Sequence, residues 1–182
     1  MSSRTLPELD RHLDAIRDTP ADAGRIDMLV RRPAQGEREE LEQAALDAEV
    51  GLVGDTWQAR PSSAMPDGSP HPEKQLTLIN IRAVEAFAGE RDRWALAGDQ
   101  IYVDLDLSEE NLPPGTRVQV GTAVVELTAP PHTGCAKFAQ RFGKEALRWV
   151  NTPLGRSLRL RGANARVIEP GVVRCGDEAR KL

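Results

Sequence analysis

Apolar residues fall at Leu6, Leu9, Leu13 and Ile16, spacings of three and four that place them on one stripe of a single helix. Thr19-Pro20 and Gly24 carry its stop signals. Such a stripe is ordinarily a face docked on the body of a protein. From Arg25 the period changes. Ile26, Met28 and Val30 recur at every second position and predict a strand that Pro33 stops. Leu41, Ala44, Ala45 and Ala48 fit a short helix, and Gly51-Leu52-Val53-Gly54-Asp55 fits a tight turn. Residues 60–72 hold four prolines among Ser, Gly and Asp and read as a long surface loop. Residues 75–79 predict a strand. Asn80 then caps a helix over 81–88, with Ile81, Val84, Phe87 and Ala88 inward and Gly89 at its end.

Beyond Gly98-Asp99 the pattern is mostly that of strands, at 101–105, 116–120 and 123–128, separated by Pro113-Pro114-Gly115 and Gly121-Thr122. Phe138, Phe142, Ala146 and Trp149 share one helical face across 135–150, with Gly143 placed to break it in two. Residues 158–160, 163–168 and 172–174 read as further strands. Parallel winding needs a regular alternation of strand and helix, which is missing. The expected fold is therefore mainly β: a small closed or nearly closed barrel of short, mainly antiparallel strands with peripheral helices. Residues 1–24 form a helical arm and 25–182 the barrel domain in this reading.

Composition narrows the function. Apolar residues make up 40% and charged residues 29% of the 182, a globular balance. With 24 basic and 28 acidic residues the net charge is −4. That argues against a general nucleic-acid partner and leaves room for a local basic pocket. No apolar run approaches the roughly 20 residues that span a membrane, and residues 1–10 lack the apolar stretch of a signal peptide. The expectation is a cytoplasmic protein with no membrane partner. In that compartment the two cysteines, Cys135 and Cys175, are expected to be free thiols.

Cys135 lies in Pro130-Pro131-His132-Thr133-Gly134-Cys135-Ala136-Lys137, after a stiff turn and just before a helix. The positive end of a helix dipole favours a thiolate, and Lys137 and Arg141 add positive charge nearby. A thiolate attacks sulfur, binds metal or carries a persulfide. The alternative is a buried structural cysteine. His132 is placed as a general base for Cys135, or is simply a histidine of a surface loop. His12 and His71 are isolated, and the scattered cysteines and histidines fit no structural zinc site. Cys175, in Arg174-Cys175-Gly176-Asp177, reads as a small filler. Gly54-Asp55, Gly98-Asp99 and Gly176-Asp177 read as turn-forming pairs, in which glycine admits positive φ and aspartate bonds the local backbone.

Several of these stretches together resemble one family. Arg32-Pro33, Gly36-Glu37-Arg38 and Gly51-Leu52-Val53-Gly54-Asp55-Thr56-Trp57 resemble the opening of a MOSC domain, named for the C-terminal domain of molybdenum cofactor sulfurase. Gln75-Leu76-Thr77-Leu78-Ile79-Asn80 resembles its next element. Ala97-Gly98-Asp99-Gln100-Ile101 resembles a characteristic turn, with Gln for the usual Asn. Leu112-Pro113-Pro114-Gly115-Thr116 and Val120-Gly121 continue the match, and Cys135-Ala136-Lys137 falls at the family's cysteine. Arg161 to Val167, Gly171-Val172-Val173 and Gly176-Asp177 resemble its closing strands.

The resemblance runs in order from about Arg25 to Asp177 and implies a stand-alone member. It implies a mostly-β barrel that carries sulfur or binds the molybdenum cofactor (molybdopterin), with Cys135 as persulfide carrier or metal ligand. The cofactor's phosphate calls for local positive charge, and Arg32, Arg38, Lys74 and Lys137 lie within or beside the matched motifs. The chain has no room for the pyridoxal-phosphate domain of a full sulfurase, so the resemblance implies a separate sulfur donor or redox partner protein. Other readings are a molybdenum-dependent reductase of N-hydroxylated compounds and a barrel that only mediates interactions.

Overall fold

The structure, a computed structural model, describes residues 4–62 and 64–182. Met1 to Ser3 and Ser63, the latter within the expected 60–72 loop, lie outside the described residues.

Seven strands close a barrel. In chain order they are β1 (Ala23–Arg31), β5 (Leu76–Asn80), β6 (Ile101–Val103), β7 (Arg117–Val120), β8 (Ala123–Leu127), β9 (Ala163–Glu169) and β11 (Glu178–Lys181). The circuit runs β1, β11, β7, β8, β9, β5, β6 and back to β1. All pairings are antiparallel except β5 with β6, which are parallel. Helix α3 (Ile81–Ala88) and a 3₁₀ turn (Arg91–Ala97) make the crossover that a parallel pair requires. Three further strands, β2 (Glu39–Leu41), β3 (Gln43–Asp47) and β4 (Gly51–Leu52), precede β5. β2 continues the sheet from the far end of β1. β3 and β4 join β10 (Gly171–Arg174) in a small second sheet.

β1 is the hub because it pairs with β11 at one end and with β6 and β2 at the other. Its expected alternation does not put all three apolar residues on one face. Ile26 pairs with Val103 and Met28 with Tyr102, so two residues of β1 oppose one of β6. This bulge switches the side-chain parity. Ile26 and Leu29 then face the barrel interior with Leu78, Ile101 and Val125, whereas Met28 and Val30 face outward to the helices.

The helices α4 (Ala136–Phe142) and α5 (Lys144–Val150) break at Gly143, whose φ of 95° no other residue adopts cheaply. Phe138 and Phe142 meet Phe87 of α3 with ring centroids 4.9 Å apart. That cluster, with Trp149, seals the outer face of the barrel. Asn80 caps α3 as expected, its side chain accepting from the backbone of Arg82 and Ala83.

Three expectations are corrected. The N-terminal stripe forms two short helices, α1 (Leu6–Asp10) and α2 (Leu13–Arg17), with Leu9 and Ile16 buried against the barrel's outer layer. The segment expected as a helix at 41–48 is β2 and β3. Its small apolar residues at alternate positions, Ala44 and Leu46, are buried against β4 and β10, so tertiary pairing overrides helix propensity. Residues 158–160 are not a strand. They follow α6 (Pro153–Ser157), which Thr152 caps, and the chain turns there through Arg159 at φ 48°. β11 went unanticipated because its polar sequence, Glu-Ala-Arg-Lys, buries only Ala179.

Gly24 sits where β1 enters the barrel, and a Cβ there would overlap the carbonyl of Asp104. Because the obstacle is backbone, Gly24→Ala is expected to lower stability by about 1–3 kcal/mol, read by urea denaturation. An unchanged midpoint would show that the closure yields more easily than this packing implies.

Candidate functional site

A cleft of about 1030 Å³ opens beside α4. Its wall includes Cys135 and His132 from the loop between β8 and α4. It also carries six cations: Arg32, Arg38, Arg60, Lys137, Arg141 and Arg161. No carboxylate lines it among the described residues.

The cations fall into two sets. Arg32, directly after β1, is held by Asp55, with Nε to Oδ2 and Nη2 to Oδ1 both at 2.7 Å. The Asp55 side chain is fully buried and also accepts from the backbone N–H of Arg32 and Trp57. Arg161 donates through Nη1 to Asp99 at 2.6 Å and through Nη2 to the carbonyl of Ala97 at 2.9 Å. Its guanidinium lies 5.3 Å from the centre of the Phe138 ring.

The second set is Arg38, Arg60, Lys137 and Arg141, and none of these forms an ion pair with a described carboxylate. Burial, together with the neighbouring charges of Arg141 and Arg32, pushes the Arg38 guanidinium below its ordinary value. Arg60 is pushed the same way, by burial and then by Arg32. Like charges gathered without counter-charge make a site for an anion.

The loop bearing His132 and Cys135 is pinned at both ends. Asn164 donates to the carbonyl of Pro130 at 2.9 Å. Asn151, at the end of α5, accepts from the N–H of Gly134 and donates to its carbonyl. Cys135 is the N-cap of α4 and is exposed. Its thiol makes no hydrogen bond to a described residue.

His132 lies against the buried Asp99, with Nδ1 3.3 Å from Oδ1. Neither atom has a well-aligned hydrogen bond, nor do the buried Nε atoms of Arg38 and Arg161. Burial, and then Arg161, push the imidazole down to about 3, although Asp99 pulls the other way. A fifth of the side chain still meets solvent.

Of the residues singled out from the sequence, Arg32, Arg38, Lys137, His132 and Cys135 line this one cleft. Lys74 is not among its lining residues. It ends a 3₁₀ turn at Pro72–Lys74, near enough for its charge to act on His132. Sequence reasoning missed Arg60, Asp99 and Arg161 as parts of the site, and it used Arg141 only as a charge near the thiol. Asp99 was visible in a Gly-Asp pair, but nothing local told that aspartate from those that only close turns. Cys175 donates its thiol to the carbonyl of Leu41 at 3.2 Å and packs against the barrel core. Burial pushes that thiol up.

The MOSC domain family profile matches residues 67–180, more than half of the chain, so the chain belongs to the MOSC domain family. β1 to β4 precede the matched stretch and complete the barrel and its side sheet. Among solved structures, the YUAD protein from Bacillus subtilis is similar with a TM-score of 0.64 and 17% identity, over 86% of this chain and 94% of that one. YiiM from Escherichia coli is similar with a TM-score of 0.56 and 19% identity, over 87% of this chain and 69% of that one. YiiM from Geobacillus stearothermophilus gives 0.54 and 15%, over 87% and 73%. At these identities the likeness concerns the fold. No curated protein sequence matches the chain. No helix among the described residues is long and apolar enough to cross a membrane.

Two outcomes follow from this geometry. Alkylation of the native protein at neutral pH, followed by mass spectrometry, is expected to label Cys135 at least about ten times faster than Cys175. Equal rates would mean that burial does not separate the two thiols.

The second concerns pH. The folded state keeps His132 neutral down to about 3, whereas the unfolded chain protonates it near 6.5. Unfolding therefore takes up a proton below about 6.5, and stability falls as pH drops through that window toward 3. Between about pH 6.5 and 5, above the ordinary carboxylate range, the slope attributable to His132 approaches about 1.4 kcal/mol per pH unit. His12, which burial also pushes down, adds in the same direction. Urea denaturation of His132→Asn is expected to show a shallower slope than wild type. An identical slope would exclude the shift.

Proposed function

We propose that this MOSC domain binds a phosphorylated molybdenum cofactor in the cleft, with the Cys135 sulfur as a ligand to the metal. The observation that carries this reading is an exposed thiol on the wall of a cleft lined by six cations and no carboxylate.

The donor set suits the group. A thiolate is a soft ligand, appropriate to a metal already held by sulfur. Arg38, Arg60, Lys137 and Arg141 offer charge-assisted donors to a phosphate. Arg32 and Arg161, fixed by their carboxylates, are rigid and present less free charge. The unpartnered Nε atoms of Arg38 and Arg161 lie buried beside the cleft and need acceptors. When bound, the cofactor would supply two-electron redox chemistry or a transferable sulfur. The protein's part is to neutralise the phosphate, fix the cofactor's orientation and hold Cys135 where a ligand can reach it.

With a redox partner protein to deliver electrons, such a site would support reduction of an N-hydroxylated compound. A sulfur-carrier role is the second reading, favoured by the exposure of Cys135. In that role the Cys135 thiolate attacks the outer sulfur of a donor persulfide. A new S–S bond forms at Sγ, the donor's S–S bond breaks, and the donor leaves as a thiolate that takes up the proton. No net oxidation occurs.

The test uses protein expressed in a host that makes the cofactor. Wild type is expected to copurify with molybdenum and with a pterin detected by fluorescence after oxidation. Cys135→Ser is expected to retain much of the pterin and its metal but to lose one sulfur ligand, read by X-ray absorption at the molybdenum edge. Arg38→Ala combined with Arg60→Ala is expected to weaken pterin retention by at least about tenfold, in line with the loss of a charged hydrogen bond. Absence of both metal and pterin from the wild type would sink the cofactor reading. Sulfane sulfur on Cys135, released by cyanide, would then favour the carrier.

A further inference from the structure

We infer that Asp99 is the positioning residue for His132: its buried carboxylate, 3.3 Å from Nδ1, favours the proton on that nitrogen of a neutral imidazole and so leaves Nε2 as the accepting nitrogen. His132 is then a neutral nitrogen acceptor in a cleft whose six cations can only donate. The site accordingly selects ligands that pair an anionic group with an acidic N–H, O–H or S–H.

Asp99 has no exposed surface, and a buried carboxylate must be paired and hydrogen-bonded to persist. Arg161 satisfies Oδ2. Oδ1 has no other partner and faces Nδ1 of His132 at 3.3 Å. If Nδ1 carried the lone pair, two acceptors would meet in a buried space with no proton between them. A proton on Nδ1 removes that conflict, so Nε2 is the acceptor. A doubly protonated ring is disfavoured by burial and by the three cations that act on it, Arg161, Arg32 and Lys74.

The backbone is built around this contact. Gly162 has φ 97°, and a Cβ there would lie 3.2 Å from Asp99 Oδ1 and 3.3 Å from His132 Nδ1. A larger residue would therefore crowd the pair.

Nε2, by contrast, is not sealed in protein. His132 forms part of the wall of the cationic cleft and also of a second cleft of about 340 Å³ behind the same loop. The second cleft carries Glu109 beside Arg156 and Arg159, so only in the cationic cleft are the ionic neighbours all cations apart from the Cys135 sulfur. Guanidinium and ammonium groups have no lone pair to offer. An accepting Nε2 among them therefore distinguishes a bare anion from one with a donor group alongside. Because burial and the surrounding cations disfavour an imidazolium, Nε2 accepts the ligand's hydrogen bond while the proton stays on the ligand.

The ligand preference rests on the cleft being the binding site. The tautomer does not, so the two fail separately. The measurement is a long-range proton–nitrogen NMR spectrum of the uniformly ¹⁵N-labelled protein at pH 7, with the His132 signals assigned by their loss in His132→Gln. The expected spectrum has Nδ1 protonated and Nε2 at the shift of an unprotonated ring nitrogen, the reverse of the tautomer that solvated histidine prefers.

Asp99→Asn gives an independent reading. Arg161 takes the single amide oxygen, which turns the NH₂ toward Nδ1, so the tautomer is expected to switch to Nε2–H. A merely structural Asp99 would leave the ring tautomer unmoved. A wild-type spectrum showing Nε2–H, an averaged ring or an imidazolium at pH 7 would overturn the inference, and that spectrum needs no variant other than the assignment control. If the tautomer is as expected and the protein binds no cofactor, the positioning role stands and the cofactor reading falls.

Discussion

Two carboxylates with no exposed surface, Asp55 and Asp99, fix the shape of the cleft. Moving an ionised carboxylate out of water costs several kcal/mol, and only close pairing with further hydrogen bonds offsets it. Asp55 has that in full: both guanidinium contacts of Arg32 and two backbone N–H groups. Asp99 has one strong partner in Arg161 and one oxygen still short of a donor. The difference divides their roles. Asp55 joins the end of β1 to the turn after β4. Asp99 joins the turn before β6 to the one before β9 and keeps one oxygen for the imidazole. Removal of either acid would strand a buried guanidinium, so the barrel and the cleft wall depend on the same ion pairs.

The barrel makes those pairs possible. β1 is hydrogen-bonded along both edges, so Arg32, immediately after it, leaves a rigid strand. The parallel pairing of β5 and β6 requires a crossover, and that crossover delivers Gly98 and Asp99 to the cleft. α4 is short and would not stand alone. It is anchored by Phe138 and Phe142 against Phe87, which leaves Lys137 and Arg141 on its open side. Arg161 lies over the ring of Phe138, linking the apolar layer to the charged one. Packing on the outer face of the barrel thus sets where the cations stand.

Much of this was legible in the sequence. Short apolar stretches bounded by glycine and proline turns marked β5 to β9, and the Asn80 cap and Gly143 break marked helix boundaries, because each of those signals is local. The strands at β2 and β3 were not legible. Ala44, Ala45 and Ala48 favour a helix in isolation, but pairing with β10 and β4 makes 43–47 extended and Ala48 falls in the turn that follows. The bulge at β1 was hidden for the same reason, since parity across a bulge is set by the partner strand. At the site, the motif order located Cys135, and Arg32, Arg38 and Lys137 came with it. Arg60 lies in a loop without pattern. Asp99 resembled any turn aspartate until the fold placed Arg161 and His132 against it.

Charge partition explains how an acidic protein can hold an anion. The chain carries −4 overall, yet six of its 24 basic residues line one cleft that no described acidic residue lines. The rest of the molecule is therefore more acidic than the net value implies. Beyond about 8–10 Å in physiological salt the cleft's field is screened. On the proposed reading, a small phosphorylated ligand meets these cations at close range, whereas a long polyanion would extend past them toward the more acidic remainder of the molecule. In the cleft, partial burial weakens screening and strengthens the pull of each guanidinium relative to one in bulk water. The proposed preference for a compact anion thus rests on where the charges sit, and Cys135 is on the same wall.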